Sequence, residues 1–124
     1  ITHPAYAKKA IEIGVNGIVV SNHGGRVLDT LVTTMDILPK IVEVVDNKIP
    51  ILLDGGITRG TDILKALALG ASAVMIGKPI MYGLATAGAL GVAHSLKILK
   101  DELEISMALT GCKTLKDINK DILF

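Results

Sequence analysis

The sequence predicts an α/β fold built on a parallel sheet, and two features carry that prediction. Short β-rich apolar runs alternate with longer amphipathic segments in the order α, then β-α three times. That order is the one right-handed crossovers impose on a parallel sheet. The second feature is the filling: half the residues are apolar and thirteen are glycine, with two tyrosines, one phenylalanine and no tryptophan. Such a core is aliphatic and packs closely against backbone, as parallel layers do.

Ala5 to Ile13 reads as a helix after Pro4, with Thr2 or His3 at its cap and Gly14 as its stop. Gly17-Ile18-Val19-Val20-Ser21 follows as a strand whose unbroken apolar run predicts cover on both faces. Thr33, three residues before Asp36, starts a helix through about Val45, which Pro39 should kink or delay. Ile49 to Leu53 is the next strand, and Gly60 to Leu69 the next helix, stopped by Gly70. Ala73 to Ile76 is the third strand. A long helical region then fills most of Ile80 to Leu109, broken near Gly88 or Gly91, and Thr114 to Asp117 caps a short terminal helix.

No linker, repeat or charge block divides the chain, so residues 1–124 form a single unit. Thirteen basic against twelve acidic side chains leave a formal net charge of +1, which argues against a nucleic-acid-binding face. No apolar run reaches the roughly 18 residues of a transmembrane segment. One cysteine, Cys112, makes neither an internal disulfide nor a multi-cysteine metal site, so no metal is expected. With no signal peptide in view, the expected setting is reduced and cytoplasmic. The chain opens with Ile1 instead of methionine and is expected to be a piece of something longer.

In parallel α/β folds chemistry gathers at the carboxyl ends of strands. After the first strand stands Ser21-Asn22-His23-Gly24-Gly25-Arg26. Imidazole suits proton transfer near neutral pH, and guanidinium offers a planar fork for a carboxylate. The two glycines allow a turn that aims both at one ligand, although a plain glycine-rich turn with a surface histidine fits the same residues. After the second strand, Asp54-Gly55-Gly56-Ile57-Thr58-Arg59-Gly60 runs into a helix, and Gly77-Lys78-Pro79 repeats the idea after the third. Glycines at helix amino termini expose N–H groups to an anion, typically phosphate; either loop alone is equally well a tight turn. His3, His94 and Cys112 read as cap, helix-surface and structural residues.

Four stretches together resemble one family, the FMN-dependent α-hydroxy acid dehydrogenases and oxidases, which include glycolate oxidase, L-lactate oxidase and L-lactate dehydrogenase. They are Ser21 to Asp29, Leu53 to Ile57, Arg59 to Ala71, and Met107 to Cys112. The resemblance covers essentially the whole chain but only the last portion of the family's barrel. It therefore implies the carboxyl-terminal half of a (β/α)8 TIM barrel, since a complete barrel needs about 250 residues.

The resemblance also implies FMN as cofactor and a small 2-hydroxy acid such as lactate or glycolate as substrate. His23 would be the base that takes the substrate proton, and Arg26 would bind the substrate carboxylate. Ser21 would contact the flavin, and Asp54, Gly55, Gly56, Gly77 and Lys78 would hold the ribityl chain and phosphate. The family has arginine where this chain has Thr58 and Lys78, both on the phosphate, and Arg59 is the cation that would reach round to compensate. The lysine near the flavin, the tyrosines near substrate and most ring contacts belong to earlier strands, so the missing amino-terminal half is the expected partner, and the full-length protein is expected as a homo-oligomer. Two rivals stay open: another phosphate-gripping barrel enzyme, and a non-catalytic or partner-requiring half-barrel.

Overall fold

The computed structural model describes residues 1–123. Its elements follow the order α1 (Pro4–Glu12), β1 (Ile18–Val20), α2 (Thr34–Val45), β2 (Ile51–Leu53), α3 (Gly60–Ala68), β3 (Ala73–Val74) and α4 (Lys78–Leu109). The strands are parallel and stand in the order β1-β2-β3, with Ile18 opposite Ile51 and Leu52 opposite Ala73. Met75 N–H still donates to Leu53 O at 2.8 Å, so strand pairing outlasts the two residues of β3.

Period-two alternation decides which side of the sheet is covered. Ile18, Val20, Ile51 and Leu53 are buried against Leu38, Ile41 and Val45 of α2, Ala7 of α1 and Ile63 and Ala66 of α3. The opposite row, Val19–Leu52–Ala73, crosses all three strands in register, and its members are half-buried or exposed. The expectation of cover on both faces is therefore corrected: the chain's helices pack on one face of the sheet, and the other is apolar and open.

Helix ends follow local chemistry. His3 caps α1, its Nδ1 accepting from Ala5 N–H at 3.1 Å, and Thr33 caps α2, its Oγ1 accepting from Asp36 N–H at 3.2 Å. Pro39 neither delays nor interrupts α2, a second correction, since the helix runs unbroken from Thr34 to Val45. A proline inside a helix costs about 3 kcal/mol, whereas Leu38, Ile41 and Val45 are each 0% exposed and contribute about 1.5–3 kcal/mol apiece. Burial wins.

Within α4 the break falls at Ala87 (φ −147°) and Gly88 (φ +57°). Its two limbs fold back on each other: Ser95 Oγ donates to Pro79 O at 3.4 Å, and a Cβ on Gly83 would sit 2.5 Å from Gly91 O. Only glycines permit that approach. Past Leu109, the expected terminal helix is instead a 3-10 turn, Leu115–Asp117, boxed by Thr114 and Asp117. Leu64, Ala68, Cys112 and Ile118 bury one another, so Cys112 is a packed thiol. No helix among the described residues is long and apolar enough to cross a membrane.

Candidate active site

Three loops leave the carboxyl ends of β1, β2 and β3, and side chains on those loops and on α2 tie them together. After β1, Ser21 Oγ accepts from His23 N–H at 3.1 Å, and Asn22 Oδ1 accepts from Gly24 N–H at 3.0 Å. These bonds hold three successive left-handed residues, His23 (φ +54°), Gly24 (φ +67°) and Gly25 (φ +72°). A non-glycine residue in that region is uncommon, so the backbone under His23 is set by its neighbours. The His23 and Arg26 side chains are both exposed.

The loop after β2 packs directly under Asn22. A Cβ on Gly55 (φ +83°) would lie 2.9 Å from Asn22 Oδ1 and 3.4 Å from Thr34 Oγ1, and that hydroxyl donates to Gly55 O at 3.1 Å. Gly56 (φ +79°) has nothing within 4 Å of where a Cβ would stand. Asp54 N–H donates to Val20 O at 3.0 Å, which fixes Asp54 at the end of β2, and its Oδ1 is buried without a hydrogen-bond partner among the described residues. A buried carboxylate oxygen left without a donor costs about 1–3 kcal/mol or more, so this position suits a ligand that brings a hydroxyl.

The loop after β3 reaches the first one. Lys78 Nζ donates to Gly24 O at 3.2 Å, and its Cε lies 3.5 Å from where a Gly24 Cβ would stand. Gly77 is the N-cap of α4, carries no side-chain cap, and has open space at its Cβ position. Pro79 brings no N–H to that first turn, so the amides of Lys78 and Ile80, uncapped by the Gly77 position, stand beside a cation, which suits a phosphate.

The start of α3 is arranged differently. Asp62 Oδ2 accepts from Thr58 N–H, Thr58 Oγ1 and Arg59 N–H at 3.0, 3.2 and 2.9 Å. Arg59 Nε pairs with Glu102 Oε1 at 3.1 Å, and Gly60 N–H donates to Glu102 Oε2 at 2.8 Å. The structure therefore brings Ser21, His23, Asp54, Gly55, Gly77 and Lys78 to one end of the sheet, while Thr58 and Arg59 face carboxylates of α3 and α4. Asn22, Thr34 and Glu102 were not foreseen. Asn22 had a signal, a short amide before two glycines, which favours a side-chain-closed turn; Thr34 and Glu102 act 21 and 42 residues away in sequence, where local pattern is silent.

Comparison with known proteins finds relatives over nearly the whole chain. The chain is 57% identical over 115 residues to the peroxisomal (S)-2-hydroxyacid oxidase GLO3 of Arabidopsis thaliana, covering 93% of this chain and 32% of that protein. It is 54% identical over 117 residues to an L-lactate oxidase of Nostoc, covering 94% and 32%. Among solved structures, a lactate oxidase of Pediococcus acidilactici superposes with a TM-score of 0.93 at 47% identity, covering 95% of this chain and 33% of that one. A mandelate oxidase crystallised with (S)-2-phenylpropionate does so with a TM-score of 0.93 at 45% identity, covering 97% and 36%. The chain thus spans about a third of the length of these relatives. The FMN-dependent dehydrogenase model matches residues 1–124, and with the site geometry and these relatives this establishes that the chain belongs to the FMN-dependent dehydrogenase family.

Proposed function

We propose that the chain is the carboxyl-terminal half of a (β/α)8 barrel that oxidises a small L-2-hydroxy acid, of the lactate or glycolate type, to the 2-oxo acid with FMN. The observation that carries the cofactor reading is the buried Oδ1 of Asp54, which has no hydrogen-bond partner among the described residues, at the end of β2 beside β1. It asks for a hydroxyl donor where a ribityl chain would lie, and the open positions at Gly56 and Gly77 leave room for a phosphate. When bound, FMN supplies an acceptor for two electrons.

The chain's own residues do the rest. His23 takes the proton that the 2-hydroxy acid gives up, and Arg26 holds the substrate carboxylate through its two-pronged fork. Ser21 and Asn22 keep the backbone under His23 in its left-handed turn, which sets where the imidazole hangs. Asp54 would accept from the ribityl hydroxyls, and Ser21 would contact the flavin. Gly55 and Gly56 would let backbone approach the cofactor without side-chain bulk. The amides that start α4 after Gly77 would hold the phosphate, with Lys78 supplying charge. At the start of α3, Thr58 contributes no charge and Arg59 is the cation of that loop.

The rest of the protein is the partner this reading requires. An apolar row of Val19, Leu52 and Ala73 left open is what the interior of a barrel looks like when its other strands are removed. We place the full-length enzyme, a homo-oligomer, in the cytoplasm, where the single buried thiol of Cys112 stays reduced.

The test is anaerobic mixing of the full-length, FMN-loaded protein with L-lactate or glycolate. The reading predicts loss of the oxidised-flavin absorbance with one of these acids and none with the D enantiomer of lactate. A flavin that stays oxidised with every small L-2-hydroxy acid, or a protein that binds no FMN, contradicts it.

A further inference from the structure

Resting on the function proposed above, we infer that Lys78 is a positioning residue for His23 and Arg26, a role beyond the charge it supplies to the cofactor. It anchors the carbonyl of Gly24, which stands in the chain between those two residues. The turn after β1 closes its own amides. Ser21 Oγ accepts from His23 N–H at 3.1 Å, Asn22 Oδ1 from Gly24 N–H at 3.0 Å and Asn22 O from Gly25 N–H at 3.1 Å. All three acceptors precede His23, so these bonds tie the turn back to β1. Gly24 O is met from the other side of the site. Lys78 Nζ donates to it at 3.2 Å from 54 residues away, and Lys78 Cε lies 3.5 Å from where a Gly24 Cβ would stand.

That contact acts where the backbone is freest. Gly24 and Gly25 sit at φ +67° and +72°, and with no Cβ on either residue a rotation between them meets little resistance. Such a rotation would move Arg26 relative to His23. The His23 and Arg26 side chains are both exposed, so the backbone beneath them, and not burial, decides where they point. The donor stands on a braced element. Met81 N–H donates to Gly77 O at 3.1 Å, and the limb that Lys78 begins is held by Ser95 Oγ on Pro79 O at 3.4 Å. An ammonium has three donors, so one on Gly24 O leaves two for a phosphate. Lys78 can thus join the cofactor end of the site to the turn that carries the base.

The experiment follows flavin reduction by stopped flow, without oxygen, in the full-length protein at saturating FMN. The probe is L-lactate or glycolate, whichever reduces the wild-type flavin, over a range of concentrations. Lys78→Met keeps the stem over Gly24 and removes the donor, at an exposed position that leaves the core alone. Its limiting rate is expected to fall about tenfold and its half-saturating acid concentration to rise about threefold, because one carbonyl sets both His23 and Arg26. The midpoint potential of the bound flavin should not move. Lys78→Arg, which again offers a donor there, should recover most of the lost rate. Wild-type rate and half-saturation for Lys78→Met once FMN is saturating would overturn the inference and leave Lys78 a cofactor ligand alone. So would a slower rate accompanied by a lowered flavin potential. A wild-type flavin that no small L-2-hydroxy acid reduces would instead refute the proposed function.

Discussion

Gly55 and Gly56 are neighbours with nearly the same left-handed backbone, at φ +83° and +79°, yet alanine at the two positions should have different costs. An L-residue forced into that region loses about 1–2 kcal/mol, and both variants incur that. Only at position 55 does the new Cβ meet another group, 2.9 Å from Asn22 Oδ1, the atom that accepts from Gly24 N–H at 3.0 Å. Displacing Asn22 removes a hydrogen bond of about 0.5–1.5 kcal/mol. The FMN-free, full-length protein should therefore lose about 1.5–3.5 kcal/mol with Gly55→Ala against about 1–2 kcal/mol with Gly56→Ala. Urea unfolding with linear extrapolation reads both values, and omitting FMN keeps cofactor contacts out of the comparison. Because Asn22 also fixes the turn that carries His23, the 55 variant should lower turnover at saturating FMN as well. Equal destabilisation by the two alanines would refute the claim that the β1 and β2 loops are locked through Asn22.

Other consequences are as direct. Gly60→Ala places a Cβ against the backbone of Glu102 and Leu103, which cannot yield as a side-chain tip would, so thermal unfolding should report a loss of at least about 1–3 kcal/mol. Restoring the family's arginines with Lys78→Arg and Thr58→Arg together should tighten FMN at least about tenfold, and Lys78→Arg alone should do less, because it adds geometry and no charge. An unchanged dissociation constant for the double variant would show that these loops do not hold the phosphate. The isolated 124-residue chain should self-associate, since the face of Val19, Leu52 and Ala73 and the outer strand edges are open; a monomer at high concentration in sedimentation velocity would contradict this.

Local chemistry makes much of the fold legible in the sequence. The caps at His3 and Thr33, the stop after Leu69 and the break at Gly88 all depend on residues within a few positions of each other. Pro39 misled because its penalty is local, whereas the burial of Leu38, Ile41 and Val45 that outweighs it is tertiary. The strand Gly17 to Ser21 misled for the opposite reason. Its unbroken apolar run suits a sheet covered on both faces, and the elements that would cover Val19 are not among those packed here.

The candidate site divides the same way. His23, Gly55, Gly77 and Lys78 stand out because turn glycines and reactive side chains cluster at strand ends, Ser21 and Asp54 through the family resemblance, and the fold brings those ends together. The bonds that hold the cluster were silent. Nothing near Lys78 in the chain announces that it reaches Gly24 O, 54 residues away, or that Glu102 closes on Arg59 across 43. Sequence spacing shows which loops exist; packing decides which side chains are already engaged.

Whether His23 is the base is read from the rate of flavin reduction in a single turnover. The full-length, FMN-loaded protein and its His23→Ala variant are mixed with saturating L-2-hydroxy acid without oxygen, and loss of the oxidised-flavin absorbance is followed by stopped flow. If His23 is the base, the variant binds FMN with unchanged affinity and reduces it roughly two to four orders of magnitude more slowly. Flavin reduction at the wild-type rate would contradict it.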